Sequence, residues 1–285
     1  MKVYENFSLK AFNSYHVESV CNKAIFPENE EELVSIFQEY ELDKITILGN
    51  GNNLILSKPY YDKVFVIFNQ CFNQIQVSQN LIEAESGATL LDVSKTALNH
   101  SLSGLEFSYD IPSSVGGAIV MNAGTKEGVI SDVLLKVRYL DLIDLQFKEV
   151  FKEEISLQYR NSVFQNTKNK IIVKAWFLLQ HGNYENIFKT MEESKSRRWI
   201  IQPRDFPNSG SVFKRPEGKF VGPMIEQLGL KGFRIGDAQV SEKHAGFIVN
   251  LGNATGDDIL NLIKHIQETV YKAFQIQLEV EQRII

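Results

Sequence analysis

The fold of this chain is decided by Leu48-Gly49-Asn50-Gly51-Asn52-Asn53, a glycine turn that begins at the end of the apolar run Ile45–Leu48. A second glycine-rich turn runs from Ile111-Pro112-Ser113-Ser114-Val115-Gly116-Gly117 to Asn122-Ala123-Gly124. We call residues 48–53 the first turn and residues 111–124 the second turn. Both are expected to offer bare backbone amides, the groups that bind phosphate oxygens in many proteins. Together the two turns predict a diphosphate site.

The first turn does not match the two commonest phosphate-binding motifs. A dinucleotide fingerprint needs a third glycine at position 54, followed by a helix. Leu54 occupies that position, and Leu54-Ile55-Leu56 predicts another strand. The Gly-Lys-Ser/Thr sequence of a P-loop is absent as well. The sequence therefore predicts a diphosphate ligand on a different scaffold.

The composition is that of an ordinary globular protein. The chain has 285 residues, of which 44% are hydrophobic and 23% charged, and this length allows more than one domain. A net charge of −5 disfavours a nucleic-acid partner, which normally requires a basic face. No apolar run approaches the length of a membrane span, and the N-terminus lacks a secretory signal. We therefore expect a cytoplasmic protein without membrane insertion.

The cysteine and histidine pattern disfavours metal and disulfide chemistry. Cys21 and Cys71 are the only cysteines, and the 5 histidines lack the spacing of metal ligands. We therefore predict no metal site and no disulfide framework.

Hydrophobic periodicity predicts a mixed α+β chain without a regular βαβ repeat. Capping boxes are expected where Thr89 precedes Asp92 and where Thr255 precedes Asp258. A long, charged helix is predicted to begin near residue 183, and we place a domain boundary there. The predicted helices cover 28–40, 89–98, 183–200, 223–228 and 255–274. The predicted strands cover 45–48, 64–68, 81–85, 133–140, 171–179, 246–250 and 276–284.

Four side chains are candidates for chemistry, and on residue patterns alone each keeps an ordinary structural interpretation. Ser211 follows two small residues, so its hydroxyl is either held over a ligand or part of a common turn. Arg160 is either a fork for a carboxylate or phosphate or a surface arginine. Glu281 lies on a predicted half-exposed strand, with Ile284 on the opposite, apolar face. His244 either faces a ligand or bonds to the backbone.

Taken together, these segments resemble the UDP-N-acetylenolpyruvoylglucosamine reductase (MurB) family of peptidoglycan precursor synthesis. The resemblance extends from Ser14 to Ile284, and the order and spacing of its motifs are specific. In the first part of the chain, the matching segments are Leu48-Gly49-Asn50-Gly51-Asn52-Asn53-Leu54, Gly104-Leu105-Glu106-Phe107, Val115-Gly116-Gly117-Ala118, Met121-Asn122-Ala123-Gly124 and Tyr159-Arg160-Asn161-Ser162. In the last part, they are Gly210-Ser211-Val212-Phe213-Lys214-Arg215-Pro216, Arg234-Ile235-Gly236 and Val240-Ser241-Glu242-Lys243-His244-Ala245-Gly246-Phe247.

The resemblance implies a vanillyl-alcohol-oxidase-like (PCMH-type) FAD-binding region over 1–182 and a smaller α+β substrate-binding domain over 183–285. A division of the first region into two subdomains near 65–70 is left open. By analogy, NADPH reduces a non-covalent FAD, and flavin N5 passes hydride to the vinyl carbon of UDP-N-acetylglucosamine enolpyruvate. The product is UDP-N-acetylmuramate. The implied protein is a bacterial cytoplasmic oxidoreductase, and we expect a monomer.

The resemblance also implies a role for individual residues. Arg160 and Glu281 would stabilise the enolate, and Ser211 would donate the proton that quenches it. Substrate contacts are expected from Tyr159, Arg215 and His244. The implied FAD-binding residues are Gly49, Asn50, Gly51, Asn52, Asn53, Leu54, Pro112, Ser113, Ser114, Gly116, Gly117, Asn122, Ala123 and Gly124.

The chain departs from the family pattern near the flavin site. The family usually has glycine where Ser113 stands and a glycine pair where Glu18-Ser19 stands. Arg215 and the short connection from Arg198 to Ser209 resemble the compact (type II) branch that lacks an inserted tyrosine loop. Two alternatives stay open: another PCMH-type oxidoreductase, with covalent flavin, and a non-catalytic nucleotide-sugar binding module.

Overall fold

The computed structural model describes residues 1–285 and divides the chain into two compact units that interleave along the sequence. The first unit comprises Met1–Tyr4, Ala24–Asn50 and Lys63–Arg197. The second unit comprises Glu5–Lys23, Gly51–Asp62 and Arg198–Ile285. The assignment of FAD binding to 1–182 and of substrate binding to 183–285 stays a prediction.

Helices and strands both occur along the whole chain, in agreement with the predicted mixed α+β class. The helices are α1 (Glu30–Glu39), α2 (Leu90–Asn99), α3 (Val115–Val120), α4 (Ile130–Val133), α5 (Val163–Asn166), α6 (Tyr184–Ile201), α7 (Val221–Gln227) and α8 (Gly256–Phe274). The strands are β1 (Lys2–Ser8), β2 (Val20–Phe26), β3 (Ile45–Leu48), β4 (Leu54–Ile55), β5 (Tyr60–Ile67), β6 (Ile75–Ser78), β7 (Leu81–Glu85), β8 (Leu102–Ser103), β9 (Leu134–Asp141), β10 (Gln146–Phe151), β11 (Lys170–Leu178), β12 (Gln180–His181), β13 (Arg234–Ile235), β14 (Ala238–Val240), β15 (Ile248–Asn250) and β16 (Arg283–Ile284). None of the helices combines the length and apolar composition needed to cross a membrane.

A five-stranded antiparallel sheet forms the centre of the first unit, in the order β10-β9-β11-β7-β6. Its central strand β11 places Ala175 opposite both Val137 and Ala84, and all three side chains are fully buried. Phe177 belongs to the same core. Burying a large apolar side chain of this kind stabilises a fold by roughly 1.5–3 kcal/mol.

A four-stranded sheet has the order β1-β2-β5-β3, and its strands β3 and β5 run parallel. Leu48, the last residue of β3, pairs with Ile67. The first turn therefore begins at the carboxyl end of a parallel strand. The predicted strand after this turn is confirmed as β4.

The second unit is organised around α8, whose predicted capping box is confirmed. The Asp258 amide donates to Thr255 Oγ1 at 3.1 Å, and the Thr255 amide donates to Asp258 Oδ2 at 2.9 Å. The helix has a buried apolar stripe that includes Ile259, Leu262 and Ile266. These contacts fix α8 against the three-stranded sheet β13-β14-β15.

The capping box predicted for α2 is only half formed. Thr89 Oγ1 accepts the Asp92 amide at 3.0 Å, as expected. The Asp92 carboxylate, however, accepts from the Thr89 hydroxyl at 2.7 Å instead of from the Thr89 amide. The Thr89 residue forms an antiparallel bridge with Ser114, and this bridge holds its backbone beside the second turn.

The predicted continuous strand over 276–284 is wrong, because only Arg283–Ile284 forms a strand there, parallel to Leu54–Ile55. The predicted apolar face is also wrong at its end, since Ile284 is 53% exposed while Gln282 is 3% exposed. The inward Gln282 amide bonds to backbone carbonyls of a neighbouring segment, a partner choice that alternation of apolar residues does not reveal.

Candidate functional site

The first turn has the free amides that an anion cradle requires. None of the backbone amides from Gly49 to Asn53 donates to an acceptor in the chain. Gly51 has a φ of +68°, and a Cβ added there would lie 2.0 Å from the Phe12 carbonyl oxygen. Position 51 therefore requires glycine both for its backbone conformation and for the approach of residue 12.

The two turns meet at Gly49 and Ser114. A Cβ added to Gly49 would lie 2.6 Å from Ser114 Oγ, so the turns pack with no room for a side chain at position 49. On the other side of the first turn, Asn50 Oδ1 accepts from the Asn69 side-chain amide at 3.1 Å. The close approach of Gly49 to Ser114 is consistent with the prediction that the two turns form neighbouring parts of one site.

The second turn does not offer the bare amides that we expected at Val115, Gly116 and Gly117. Their N–H groups donate to Ala88 O at 2.9 Å, Ser86 O at 2.9 Å and Ser114 Oγ at 3.3 Å. The reason is helix α3, which the sequence analysis missed. Its first amides are satisfied by the Ser114 N-cap and by carbonyls of the turn between β7 and α2.

Further along the second turn, the Asn122 side chain forms hydrogen bonds within the protein. Its side chain donates to Gln158 O at 3.1 Å and accepts from the Ser131 amide at 3.0 Å. The Gly124 carbonyl accepts from the Arg160 guanidinium at 3.1 Å. The second turn therefore contacts Arg160, to which the family resemblance assigns a catalytic role.

Arg160 lies at the tip of a tight backbone turn. Its φ is +54°, a conformation that non-glycine residues rarely adopt, and Gln158 and Asn161 bridge on either side of it. Its guanidinium lies 5.5 Å from the ring centroid of Tyr159, whose side chain is 59% exposed. Backbone strain of this kind is frequent at functional sites, and a guanidinium fork can bind a carboxylate or phosphate through two hydrogen bonds.

In the second unit, Ser211 lies on a segment between two others. Ser211 bridges to Phe247 on one side, and Phe213 bridges to Val280 on the other. The Val212 amide donates to Gly246 O at 3.0 Å, and the Glu281 amide donates to Val212 O at 2.8 Å. The segments that carry His244, Ser211 and Glu281 are therefore neighbours. Sequence alone had placed these three residues on separate motifs.

His244 is held neutral by its surroundings. Its Nδ1 accepts a hydrogen bond from the Gly246 amide at 3.1 Å. Its ring packs edge-on against the Phe247 ring, with 4.8 Å between the two ring centroids. Burial lowers the pKa of the His244 imidazole below its usual value. With Nδ1 acting as an acceptor, the proton of the neutral ring lies on Nε2, where it is a donor.

The end of the first turn is tied to the same segments. Asn53 Nδ2 donates to the Glu281 carbonyl at 3.2 Å, and the Leu54 amide donates to Ser209 Oγ at 3.2 Å. Arg215, the remaining predicted substrate contact, is exposed and lies 4.5 Å from the ring centroid of Phe220. Ser209 was missed by the sequence analysis, although it directly precedes the Gly-Ser pair of the Ser211 motif.

The donor and acceptor groups of the first turn suit a dinucleotide cofactor such as FAD. Besides the unbonded amides, Asn52 Oδ1 is a buried acceptor without a partner in the chain, as a cofactor hydroxyl would require. A separate cavity of about 270 Å³, lined by residues such as Phe107, Glu127 and Ser194, contains none of the predicted site residues. We therefore assign the site from the turns and not from this cavity.

Comparison with known proteins gives consistent matches. Residues 202–285 match the family described as UDP-N-acetylenolpyruvoylglucosamine reductase, C-terminal domain, and residues 22–143 match the family described as FAD binding domain. A UDP-N-acetylenolpyruvoylglucosamine reductase of Francisella tularensis is 42% identical over 283 residues, which cover 99% of this chain and 99% of that protein. A protein of the same name from Caldanaerobacter subterraneus is 42% identical over 286 residues, covering 100% and 94%.

The crystal structure of UDP-N-acetylenolpyruvylglucosamine reductase (MurB) from Thermus caldophilus superposes with a TM-score of 0.85 at 30% identity, covering 99% of this chain and 98% of that one. The predicted fold class, an FAD-binding region followed by a smaller α+β domain, is confirmed by this match and by the two family matches. The chain belongs to the UDP-N-acetylenolpyruvoylglucosamine reductase (MurB) family.

Proposed function

We propose that this chain is an NADPH-dependent FAD enzyme that reduces UDP-N-acetylglucosamine enolpyruvate to UDP-N-acetylmuramate. The observation that carries the proposal is the pairing of the Ser211 and Glu281 segments through the bond from the Glu281 amide to Val212 O, at 2.8 Å. This pairing gives a proton donor and a carboxyl group on adjacent strand-like segments. Family membership supplies the substrate class.

FAD would be held without a covalent bond, mainly by the first turn. Its pyrophosphate is best matched by the amides of Gly49 to Asn53, which have no acceptor in the chain. The second turn would contribute close backbone packing through Gly116 and Gly117. The remaining contacts would come from the other predicted residues, namely Leu54, Pro112, Ser113, Ser114, Asn122, Ala123 and Gly124. When bound and reduced by NADPH, FAD supplies a hydride.

The side chains handle the charge and the proton that the reaction requires. Addition of a hydride to the vinyl carbon places negative charge on the substrate carboxylate, as an enolate. Arg160 would stabilise that charge through two parallel hydrogen bonds, and Glu281 would assist. Ser211 Oγ would transfer its proton to the adjacent carbon and regain a proton from solvent. Because a serine hydroxyl is a weak acid in water, close positioning must supply most of its effect.

Recognition of the substrate would involve Tyr159, Arg215 and His244. The neutral His244 offers an Nε2–H donor, and Arg215 offers an exposed guanidinium that suits a diphosphate. We further propose that the enzyme acts as a monomer in the bacterial cytoplasm, where UDP-linked cell-wall precursors are made.

The direct test is NADPH consumption by the purified protein with and without UDP-N-acetylglucosamine enolpyruvate. We expect a yellow protein whose NADPH oxidation depends on the substrate. A colourless protein, or oxidation that the substrate does not increase, would contradict the proposal. Acid precipitation separates the covalent-flavin alternative, because FAD should remain in the supernatant.

The role of Ser211 is tested by measuring the two half-reactions separately. In Ser211→Ala, flavin reduction by NADPH should keep its rate, while reoxidation by the substrate should slow by about 100-fold or more. Equal slowing of both half-reactions would mean that Ser211 is structural and does not donate the proton.

A further inference from the structure

A buried tyrosine–glutamine pair contacts the backbone of residues 209–211, which we call the Ser211 segment. The Tyr15 side chain is fully buried and Gln282 is 3% exposed. The Tyr15 hydroxyl donates to Gln282 Oε1 at 3.0 Å. Burial raises the pKa of this hydroxyl, so it remains a neutral donor throughout the physiological pH range.

The other end of the Gln282 amide faces the backbone of the Ser211 segment. Gln282 Nε2 lies 3.1 Å from Ser209 O, 3.3 Å from Gly210 O and 3.5 Å from Ser211 O. An amide nitrogen has only two hydrogens, so these carbonyls share its donors. Because Oε1 accepts from Tyr15, the amide is fixed with its nitrogen toward the carbonyls.

The Ser211 segment needs such a support. Gly210 has a φ of +80°, and no atom lies within 4 Å of where its Cβ would be, so neighbouring side chains do not restrain it. The Ser211 side chain is itself exposed. The position of its hydroxyl is therefore set through the backbone, and the Gln282 amide is a buried side-chain group that bonds to this backbone.

The pair is itself anchored in the core of the second unit. The Tyr15 carbonyl accepts from the Asn250 side-chain amide at 2.7 Å, and Asn250 is 1% exposed. Gln282 directly follows Glu281 in the chain. A single buried network thus fixes both the carboxyl-bearing segment and the hydroxyl-bearing segment.

We propose that Tyr15 and Gln282 are positioning residues that hold Ser211 in place for proton transfer to the substrate. This inference rests on the proposed function, since it concerns the proton step of that reaction. Neither residue contacts the reacting atoms in this role. Both act through the carbonyls of residues 209–211, and a displacement of about 1 Å at a catalytic group can cost about 100-fold in rate.

Gln282→Leu tests the proposal most directly, because it removes the amide while keeping a buried side chain of similar size. We expect reoxidation of the reduced enzyme by substrate to slow by about 30–100-fold, with flavin reduction by NADPH within about twofold of the parent. The solvent isotope effect on reoxidation should increase, because proton transfer becomes slower. Tyr15→Phe removes only the hydroxyl and should slow reoxidation by about tenfold.

Gln267→Leu is the matched control. Gln267 Nε2 donates to Leu278 O at 2.8 Å, so it holds a backbone carbonyl on the same C-terminal segment but not at Ser211. This variant should keep both half-reactions. The melting temperature and FAD content of each variant show whether it is folded, and Tyr15→Phe carries the test where Gln282→Leu does not fold.

A double-mutant cycle with Ser211→Ala gives the decisive readout. In the Ser211→Ala background, Gln282→Leu should slow reoxidation by no more than about twofold, since the group that it positions is already gone. The proposal is overturned if the effects of the two substitutions multiply, or if Gln282→Leu or Tyr15→Phe slows both half-reactions alike. Failure of the proposed function is seen separately, as a parent enzyme whose NADPH oxidation does not respond to substrate.

Discussion

The first and second turns both contain glycines but use them for different purposes. In the first turn, the amides of Gly49 to Asn53 have no acceptor in the chain. In the second turn, the amides of Val115, Gly116 and Gly117 all bond within the protein. The comparison shows that a glycine-rich turn does not by itself identify an anion cradle. The turn must also have backbone amides that lack an acceptor within the chain.

The difference follows from the secondary structure at each turn. A strand, β4, follows the first turn, and no helix begins there that would bond its amides internally. A helix, α3, follows Ser114, so the Ser114 hydroxyl accepts the amide of Gly117, which is the third residue of the helix. Glycine in the second turn is then needed for close packing and not for amide donation.

Gly51→Ala should have the largest effect, because it opposes both the backbone conformation and the packing of the first turn. The added Cβ would lie 2.0 Å from the Phe12 carbonyl oxygen and 2.8 Å from its carbon, so the backbone must move. We expect the free energy of unfolding to fall by about 3–5 kcal/mol, measured by urea unfolding of the FAD-saturated protein.

Gly229→Ala is the control for Gly51→Ala. Gly229 has a φ of +69°, close to that of Gly51, but no atom lies within 4 Å of its added Cβ. Alanine at position 229 therefore has the same backbone strain as alanine at position 51 but no steric clash. It should cost only about 1 kcal/mol. Equal losses for the two variants would show that residue 51 needs glycine for its conformation alone.

Gly49→Ala should have the second-largest effect, and a second substitution should rescue it. The added Cβ would lie 2.6 Å from Ser114 Oγ, which must rotate away and release the Gly117 amide. We expect a loss of about 2 kcal/mol in thermal or urea unfolding. In the double variant with Ser114→Ala the colliding oxygen is gone, while the Ser114 Cβ remains at an ordinary 3.6 Å.

The double variant should therefore be about as stable as Ser114→Ala alone, with a coupling energy of about 1–2 kcal/mol between the two positions. Additive losses would contradict the direct contact between the turns.

Ser114→Ala alone should have a moderate effect through helix α3. It removes the acceptor for the Gly117 amide at 3.3 Å, and loss of an N-cap hydroxyl typically costs about 1 kcal/mol. Urea unfolding measures the change. An unchanged free energy of unfolding would contradict the capping role of the hydroxyl.

Much of this architecture was predictable because long apolar periodicities leave few choices. Helix α8 was predicted from its stripe and its capping box, and β3 and β7 from short buried runs. Helix α3 was missed because its two glycines have low helix propensity, and the structure depends instead on the Ser114 cap and the packing of Ala118 and Ile119.

The site was predictable only in part, for a similar reason. The resemblance to the MurB family pointed to Ser211, His244 and Glu281, and the structure places their segments side by side. The residues that orient the Ser211 segment, Tyr15 and Gln282, have no sequence signal. Alternation along the predicted strand places Gln282 on the same face as Ile284, the predicted apolar face, but it does not indicate that the Gln282 amide bonds to carbonyls far along the chain.

Gly117→Ala should have the smallest effect on stability and gives the sharpest test of the difference between the turns. Inside a helix alanine is favoured over glycine by about 1 kcal/mol, and the added Cβ would make a tight contact of 3.3 Å with Ser114 Oγ, which offsets part of that gain. We expect the free energy of unfolding of the apoprotein to change by less than about 1 kcal/mol. FAD affinity, measured by flavin fluorescence, should nevertheless fall if the bare backbone at 117 is a surface on which FAD lies.

Gly116→Ala is the matched control, because its Cβ would lie 3.0 Å from Ser86 Cβ and should lower stability itself. Unchanged FAD affinity in Gly117→Ala would assign this glycine to helix α3 alone and leave the first turn as the part that binds the cofactor.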